Sequence, residues 1–220
     1  MKRFLLALAF VVAIVPCALA QTYTADQILM NLDQKAKVFT SMQAQIMKQD
    51  VARGFKASPQ NGSLSIALAA GTPRIMFDLT TKPRTKILID KGKALVYYPD
   101  DNTYRSGSVD PKSDQLMFLL LGFGTPAATI KKGYSAEAKG TETVNGVSAV
   151  VLELKSISKE TATYPTVTLW LDAKTWTPVR TRLAETVSTY YDFNYSKIQL
   201  NKGVSNSTFD LKIPKDAKKQ

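Results

Sequence analysis

Residues 73–99 read PRIMFDLTTKPRTKILIDKGKALVYYP. Ile75, Phe77 and Leu79 alternate with Arg74, Met76 and Asp78, the period-2 pattern of a strand with one buried face. Lys82-Pro83 breaks the run, and Ile87 and Ile89 then make a second apolar face. Lys91-Gly92 supplies a tight turn into a third strand, Ala94 to Tyr98, and Pro99-Asp100-Asp101-Asn102 supplies the next turn before Tyr104. Strands joined this tightly leave no room for crossover helices, so they form a meander of consecutive antiparallel strands.

The same pattern extends in both directions. Leu64, Ile66 and Leu68 alternate with Ser63, Ser65 and Ala67, and Asn61-Gly62 before them predicts a turn. Met42, Ala44 and Ile46 alternate with Gln43, Gln45 and Met47. Ahead of them a helix is predicted over 25–37, with Thr24 as its cap and Ile28, Leu29, Leu32 and Ala36 on one face. On the other side, strands are predicted over 134–139, 149–155, 167–172, 179–184 and 190–200, with turns at Asn145-Gly146 and 172–175 and a last short strand over 209–214. The count is ten or eleven strands.

Residues 111–126 interrupt the meander. Pro111 and Ser113-Asp114 look like a helix start, and Leu116-Met117-Phe118-Leu119-Leu120-Leu121-Gly122-Phe123 follows without a charge. Gly124 and Pro126 end it.

A sheet this wide must curl to bury an apolar face. Several strands are apolar on both faces, so one face packs on the N-terminal helix and the other is free to line a hollow. The 114–123 segment is either the cover of that hollow or a plain core helix; Gly122 and Gly124 fit a hinge and a helix end equally well. An apolar hollow suits an acyl chain, because each buried methylene contributes about 0.8 kcal/mol without any directional polar group. The residues expected to hold it are Met76, Val96 and Tyr98 with Leu116, Phe118, Leu119, Leu120 and Phe123 of the cover. Periodicity does not say which strand face is concave.

Residues 1–20 read as a cleavable signal peptide. Lys2 and Arg3 precede an apolar run from Phe4 to Val15, too short to cross a bilayer of roughly 30 Å, and Ala18-Leu19-Ala20 supplies a small-x-small cleavage pattern. The competing readings are an uncleaved anchor helix and lipidation at Cys17, where Pro16 replaces the small flexible residue such a site wants. Cleavage near Ala20 leaves residues 21–220 as one domain in the periplasm, without a thiol.

The chain has no histidine, which excludes a Ser-His-Asp triad, an imidazole base and His-containing zinc sites. No segment pairs carboxylates or lysines in a recognisable catalytic way, so no enzyme, cofactor or metal is expected. The net charge is +11, with Lys and Arg spread along the chain rather than clustered. A solvated basic surface accounts for that, as does weak attraction to anionic head groups or to an acidic protein face. No nucleic-acid partner is expected, because the aromatic residues lack an RNA-binding consensus.

Gly62-Ser-Leu-Ser-Ile, Pro73 to Leu79, Lys82-Pro83 and Ile89 to Pro99 resemble the periplasmic outer-membrane lipoprotein carriers, the LolA-like family. So do Phe39-Thr-Ser-Met-Gln-Ala after the first helix, Tyr191-Asp-Phe, and the ending from Val204 to Pro214. The order and spacing of these motifs carry the resemblance, not any one of them. It implies a mainly β (α+β) domain: a curved antiparallel sheet forming an open half-barrel, covered by the N-terminal helix and a short apolar mid-chain lid helix. It also implies a monomeric carrier that binds lipoprotein acyl chains, takes them from an inner-membrane lipoprotein-releasing transporter and delivers them to an outer-membrane receptor. The alternative on the same scaffold is an envelope sensor module that binds lipids or lipoproteins. One position departs from the family. An arginine there directly precedes the proline matching Pro73 and helps hold the lid closed; here that residue is Thr72, and Arg74 is expected on the opposite face.

Overall fold

A computed structural model of the chain describes residues 23–69, 72–110, 118–158 and 162–220. The signal peptide expected at residues 1–20 lies outside them, as do residues 111–117, including Leu116.

The helix α1 runs from Ala25 to Val38. It opens with a reciprocal capping box: Thr24 Oγ1 accepts from the Gln27 amide at 3.2 Å, and Gln27 Oε1 accepts from the Thr24 amide at 2.9 Å. Ile28, Leu29 and Leu32 are its buried stripe. The strands β1 (Ser41–Ala52), β2 (Phe55–Lys56), β3 (Gln60–Ala69), β4 (Thr72–Leu79), β5 (Thr85–Asp90), β6 (Lys93–Tyr98) and β7 (Thr103–Ser108) follow. A second helix, α2 (Ala127–Gly133), precedes β8 (Tyr134–Val144), β9 (Val147–Ser156), β10 (Thr166–Asp172), β11 (Pro178–Ala184) and β12 (Tyr190–Leu200). A 3-10 turn at Asn206–Phe209 and the two-residue β13 (Lys218–Lys219) complete the described elements.

These strands form one sheet in the order β13-β7-β6-β5-β4-β3-β1-β12-β11-β10-β9-β8, with β2 paired to β1. It is two meanders joined where β1 pairs with β12, antiparallel except for the short β13–β7 pair. The order does not close on itself, so the sheet is an open half-barrel. Both helices lie against β8. They are tied together by Lys131 to Asp26 at 2.8 Å, and by Asp33 Oδ1, which accepts from the Ala127 amide at 3.2 Å and so caps α2 from α1.

The concave core contains Ile28, Leu29 and Leu32 of α1 with Met42, Ala44, Ile46, Leu64, Ile66, Ile75, Phe77 and Leu79, all on the strand faces read from the sequence. Four expectations are corrected. Asn61-Gly62 is not a turn but part of β3. A Cβ at Gly62 would lie 2.1 Å from the Asp78 carbonyl oxygen, so the glycine serves close backbone approach between β3 and β4; the reversal is made instead by Arg53-Gly54, with φ of 51° and 85°. Residues 209–214 make no strand: Phe209 ends the 3-10 turn, and the following segment lies over the outer face of β4 and β6. The helix α2 was not expected, because its short apolar side, with Ile130 alone fully buried, makes no helical period.

The fourth correction concerns Arg74. It lies two positions after Thr72 in a regular β4, with only Pro73 between, so it shares the face of Thr72 rather than lying opposite it. That face is the outer one. There Arg74 meets Asp90 at 3.2 Å, donates to Asn206 Oδ1 at 2.8 Å and stacks 4.5 Å from the Phe209 ring. The arginine pins the C-terminal segment to the outside of the half-barrel.

Candidate functional site

The concave face, which also packs on α1, keeps a hollow of about 410 Å3, so helix and hollow share one face of the sheet rather than taking opposite faces as expected. The apolar walls of the hollow come from five strands, Phe77 and Leu79 of β4, Ile87 and Ile89 of β5, Ala94 of β6, and Leu183 and Phe193 of β11 and β12, and β1 and β3 add a polar end. Phe77 pairs with Ile87, and Ile89 with Ala94, so cross-strand neighbours present one continuous apolar surface. Val109, Phe118, Leu119 and Tyr164 close it from the other side. The volume falls in the usual range for small-molecule sites, about 300–1,000 Å3, and the lining is of the apolar kind.

The apolar segment is both cover and core. Phe118 is 4% exposed and meets Tyr164 and Tyr134 edge-on at centroid distances of 5.0 and 5.8 Å. Phe118 and the half-buried Leu119 face the hollow. Leu121 and Phe123 are buried in the core, with Phe123 edge-on to Tyr195 at 5.5 Å. Burial pushes the Tyr195 hydroxyl up to about 12. Leu120 is half-buried against the same core. Gly122 holds φ at +81° beneath Pro178, 2.5 Å from where a Cβ would stand, and Gly124 sits against the Phe39 ring. These contacts hold 121–124 in place and leave residues 118–119 as the wall of the hollow.

Sequence-expected residues separate by face. Val96 pairs with Ile87 and therefore shares the cavity face, and Tyr98, two residues on, shares it too; neither is among the lining residues. Met76 pairs with Ser65 and Leu88 on the other face, where it lines the outer groove beside Leu211 and Pro214. Its place among cavity residues is corrected: Ile75 and Phe77 point inward, so Met76 cannot. Sequence reading missed Tyr164, Leu183 and Phe193 as lining residues. Leu183 and Phe193 were visible as apolar positions in predicted strands, but which face met the first meander depended on the β1–β12 pairing.

One end of the hollow is polar. Lys48 and Gln60 line it, and Lys48 is ion-paired with Asp50 and lies 5.4 Å from the Tyr191 ring. Tyr191 donates to Glu185 Oε1 at 3.1 Å. Burial and then the charges of Glu185 and Asp50 push the Tyr164 hydroxyl above its ordinary value. Three other hollows are larger: one of about 600 Å3 along β1, β3 and β12 with Gln45, Asn61, Ser63 and Asn194, one of about 610 Å3 between Lys35 of α1 and β12 with Asp172, Thr175 and Lys197, and the outer groove of about 530 Å3 over β4; each has a more polar lining than the concave one and suits an apolar guest less. Among the described residues no three His, Cys, Asp or Glu side chains converge as a metal site.

The fold is shared with solved proteins. MucB matches with a TM-score of 0.54 at 17% identity over 86% of this chain, which spans 62% of that chain. A conserved uncharacterized protein from Thermus thermophilus matches with a TM-score of 0.53 at 12% identity, over 89% of this chain and 98% of its own. MucB in the Pseudomonas aeruginosa MucA/MucB complex matches with a TM-score of 0.52 at 16% identity, over 86% of this chain and 61% of its own. No protein-family model and no curated protein matches the sequence. At such identities the likeness is one of fold, the open half-barrel with helical cover that the LolA-like motifs imply.

Proposed function

We propose that the chain is a periplasmic carrier that holds the acyl chains of lipoproteins or lipids in the concave hollow and moves them from the inner to the outer membrane. The observation that carries this reading is the hollow itself: about 410 Å3 walled by Phe77, Ile87, Ile89, Ala94, Phe118, Leu119 and Phe193, with polar groups gathered at one end. Such a wall favours a guest by area alone. About ten buried methylenes supply about 8 kcal/mol, enough to offset an association cost on the order of 4–15 kcal/mol only when the site is largely formed beforehand. The buried contacts of Phe118, Leu121 and Phe123 supply that preformed wall.

The resemblance to lipoprotein carriers supplies the direction of transport and the partners, an inner-membrane releasing transporter and an outer-membrane receptor. A transfer assay tests the reading: the purified protein, incubated with donor vesicles holding a singly acylated lipopeptide, forms a soluble one-to-one complex and delivers the lipopeptide to acceptor vesicles. Failure to form that complex overturns it. A second reading, a protein-binding module on the same scaffold, draws on MucB, which is solved in complex with MucA. It predicts binding of an envelope protein whether or not the hollow is filled, and no net lipid transfer.

A further inference from the structure

Two loops at the polar end of the half-barrel are fastened to each other. The reversal after β1 meets the β11–β12 connection through the Gly54 amide, which donates to the Ser188 carbonyl at 2.8 Å, and the Arg53 amide, which donates to Thr189 Oγ1 at 3.2 Å. One residue beyond Gly54 stands Phe55, 83% exposed; one residue before Ser188 stands Val187, fully exposed. Among the described residues these are the two most exposed large hydrophobic side chains. An aromatic ring and a β-branched side chain held out on tethered loops lose apolar burial that a flexible polar tip would not need.

The charges around this tip have one sign in excess. Arg53 and Lys56 are exposed on the hairpin, and Lys82 is exposed on the β4–β5 loop, which Gln60 ties to the base of the hairpin by donating to the Pro83 carbonyl at 2.7 Å. None of the three has an ion-pair partner among the described residues. Of the nearby acids, Asp50 is paired with Lys48 and Asp100 with Arg84; Glu185 accepts from Tyr191 and keeps its charge, which leaves three unpaired cations against one such carboxylate. Apolar side chains inserted between unpaired cations are the pattern that partitions into an anionic lipid interface.

We infer that the tip formed by the β1–β2 hairpin and the β11–β12 loop docks this protein on the surface of an anionic bilayer, with Phe55 and Val187 entering the interface and Arg53, Lys56 and Lys82 meeting lipid phosphates. The same strands that end in the tip wall the hollow, through Lys48 of β1, Leu183 of β11 and Phe193 of β12. Docking therefore brings the polar end of the hollow to the membrane face. The inference goes beyond the carrier reading and stands without it, because an empty protein still carries the tip.

The test is co-sedimentation of the full chain with phosphatidylcholine vesicles, with and without phosphatidylglycerol. Binding is expected only with the anionic lipid and falls in high salt. Phe55→Ser and Val187→Ser each weaken it about tenfold, and the Arg53→Gln/Lys56→Gln pair weakens it about tenfold or more. All four positions are exposed, so thermal unfolding stays unchanged. A Phe55→Trp reporter shifts to the blue on binding and is quenched by bromine-labelled lipid. No vesicle binding, equal binding to neutral vesicles, an unshifted reporter, or retention only by an acidic protein overturns the inference. Loss of lipopeptide transfer with vesicle binding intact counts against the carrier reading alone.

Discussion

Ile87 is the position where cargo binding and folding separate most cleanly. It lines the hollow, pairs with Phe77 and Val96, and is only half-buried in the empty protein. In Ile87→Glu the carboxylate stays hydrated while the hollow is empty, so unfolding costs change by about 1 kcal/mol, or about 2–4 °C in Tm. Once an acyl chain fills the hollow, the carboxylate must lose water or take a proton. Lys48, the cation lining the same hollow, is already engaged with Asp50 and offers no free counter-charge. Taking a proton at pH 7 from a reference pKa near 4.3 costs about 4 kcal/mol, which is roughly a thousandfold in Kd. At pH 5 the same step costs about 1 kcal/mol, so the deficit shrinks to about tenfold. Displacement of a fluorescent fatty acid, measured at both pH values beside a thermal melt, checks this. Affinity within twofold of the parent at neutral pH, or a deficit that does not shrink in acid, refutes the placement of acyl chains against β5.

Phe118→Ala removes two edge-to-face contacts and a buried ring, and urea unfolding should show a loss of about 3–4 kcal/mol with weaker lipid binding. Gly62→Ala forces apart two backbones, since its Cβ would stand 2.1 Å from the Asp78 carbonyl oxygen; about 3 kcal/mol of destabilisation is expected by the same method. Burial pushes the Asp192 carboxyl up, but hydrogen bonds from Arg182 and Arg180 outweigh it and hold the group below its ordinary value. A depressed carboxylate contributes stability that is present above its unfolded pKa, near 3.9, and lost as pH falls through the folded one. Melting curves should therefore drop steeply below about pH 4, and Asp192→Asn, destabilised by about 2–3 kcal/mol at neutral pH, should show a flatter drop.

The meander was readable because its signals are local. Alternation in Ile75-Met76-Phe77 and the Lys91-Gly92 turn act within one or two strands, and the Thr24 cap acts within one helical turn. What failed depended on contacts distant in sequence. Asn61-Gly62 carries the commonest turn dipeptide, yet the approach of Asp78 recruits the glycine for strand packing instead. The helix α2 is capped by Asp33, a residue of another helix. The concave face was settled only when β12 paired with β1 and brought Phe193 opposite Phe77, at a ring distance of 6.4 Å. Met76 takes the outer face for that reason, while Phe118 and Leu119, part of the uncharged 116–123 run, lie along the hollow.

Native mass spectrometry of the protein recovered from the envelope compartment, without added lipid, decides whether the hollow carries cargo. The expected spectrum holds a population with the added mass of an acylated lipid or lipopeptide, absent from Ile87→Glu recovered in the same way. Only the bare mass in the parent protein, or the same adduct on the variant, contradicts the carrier reading.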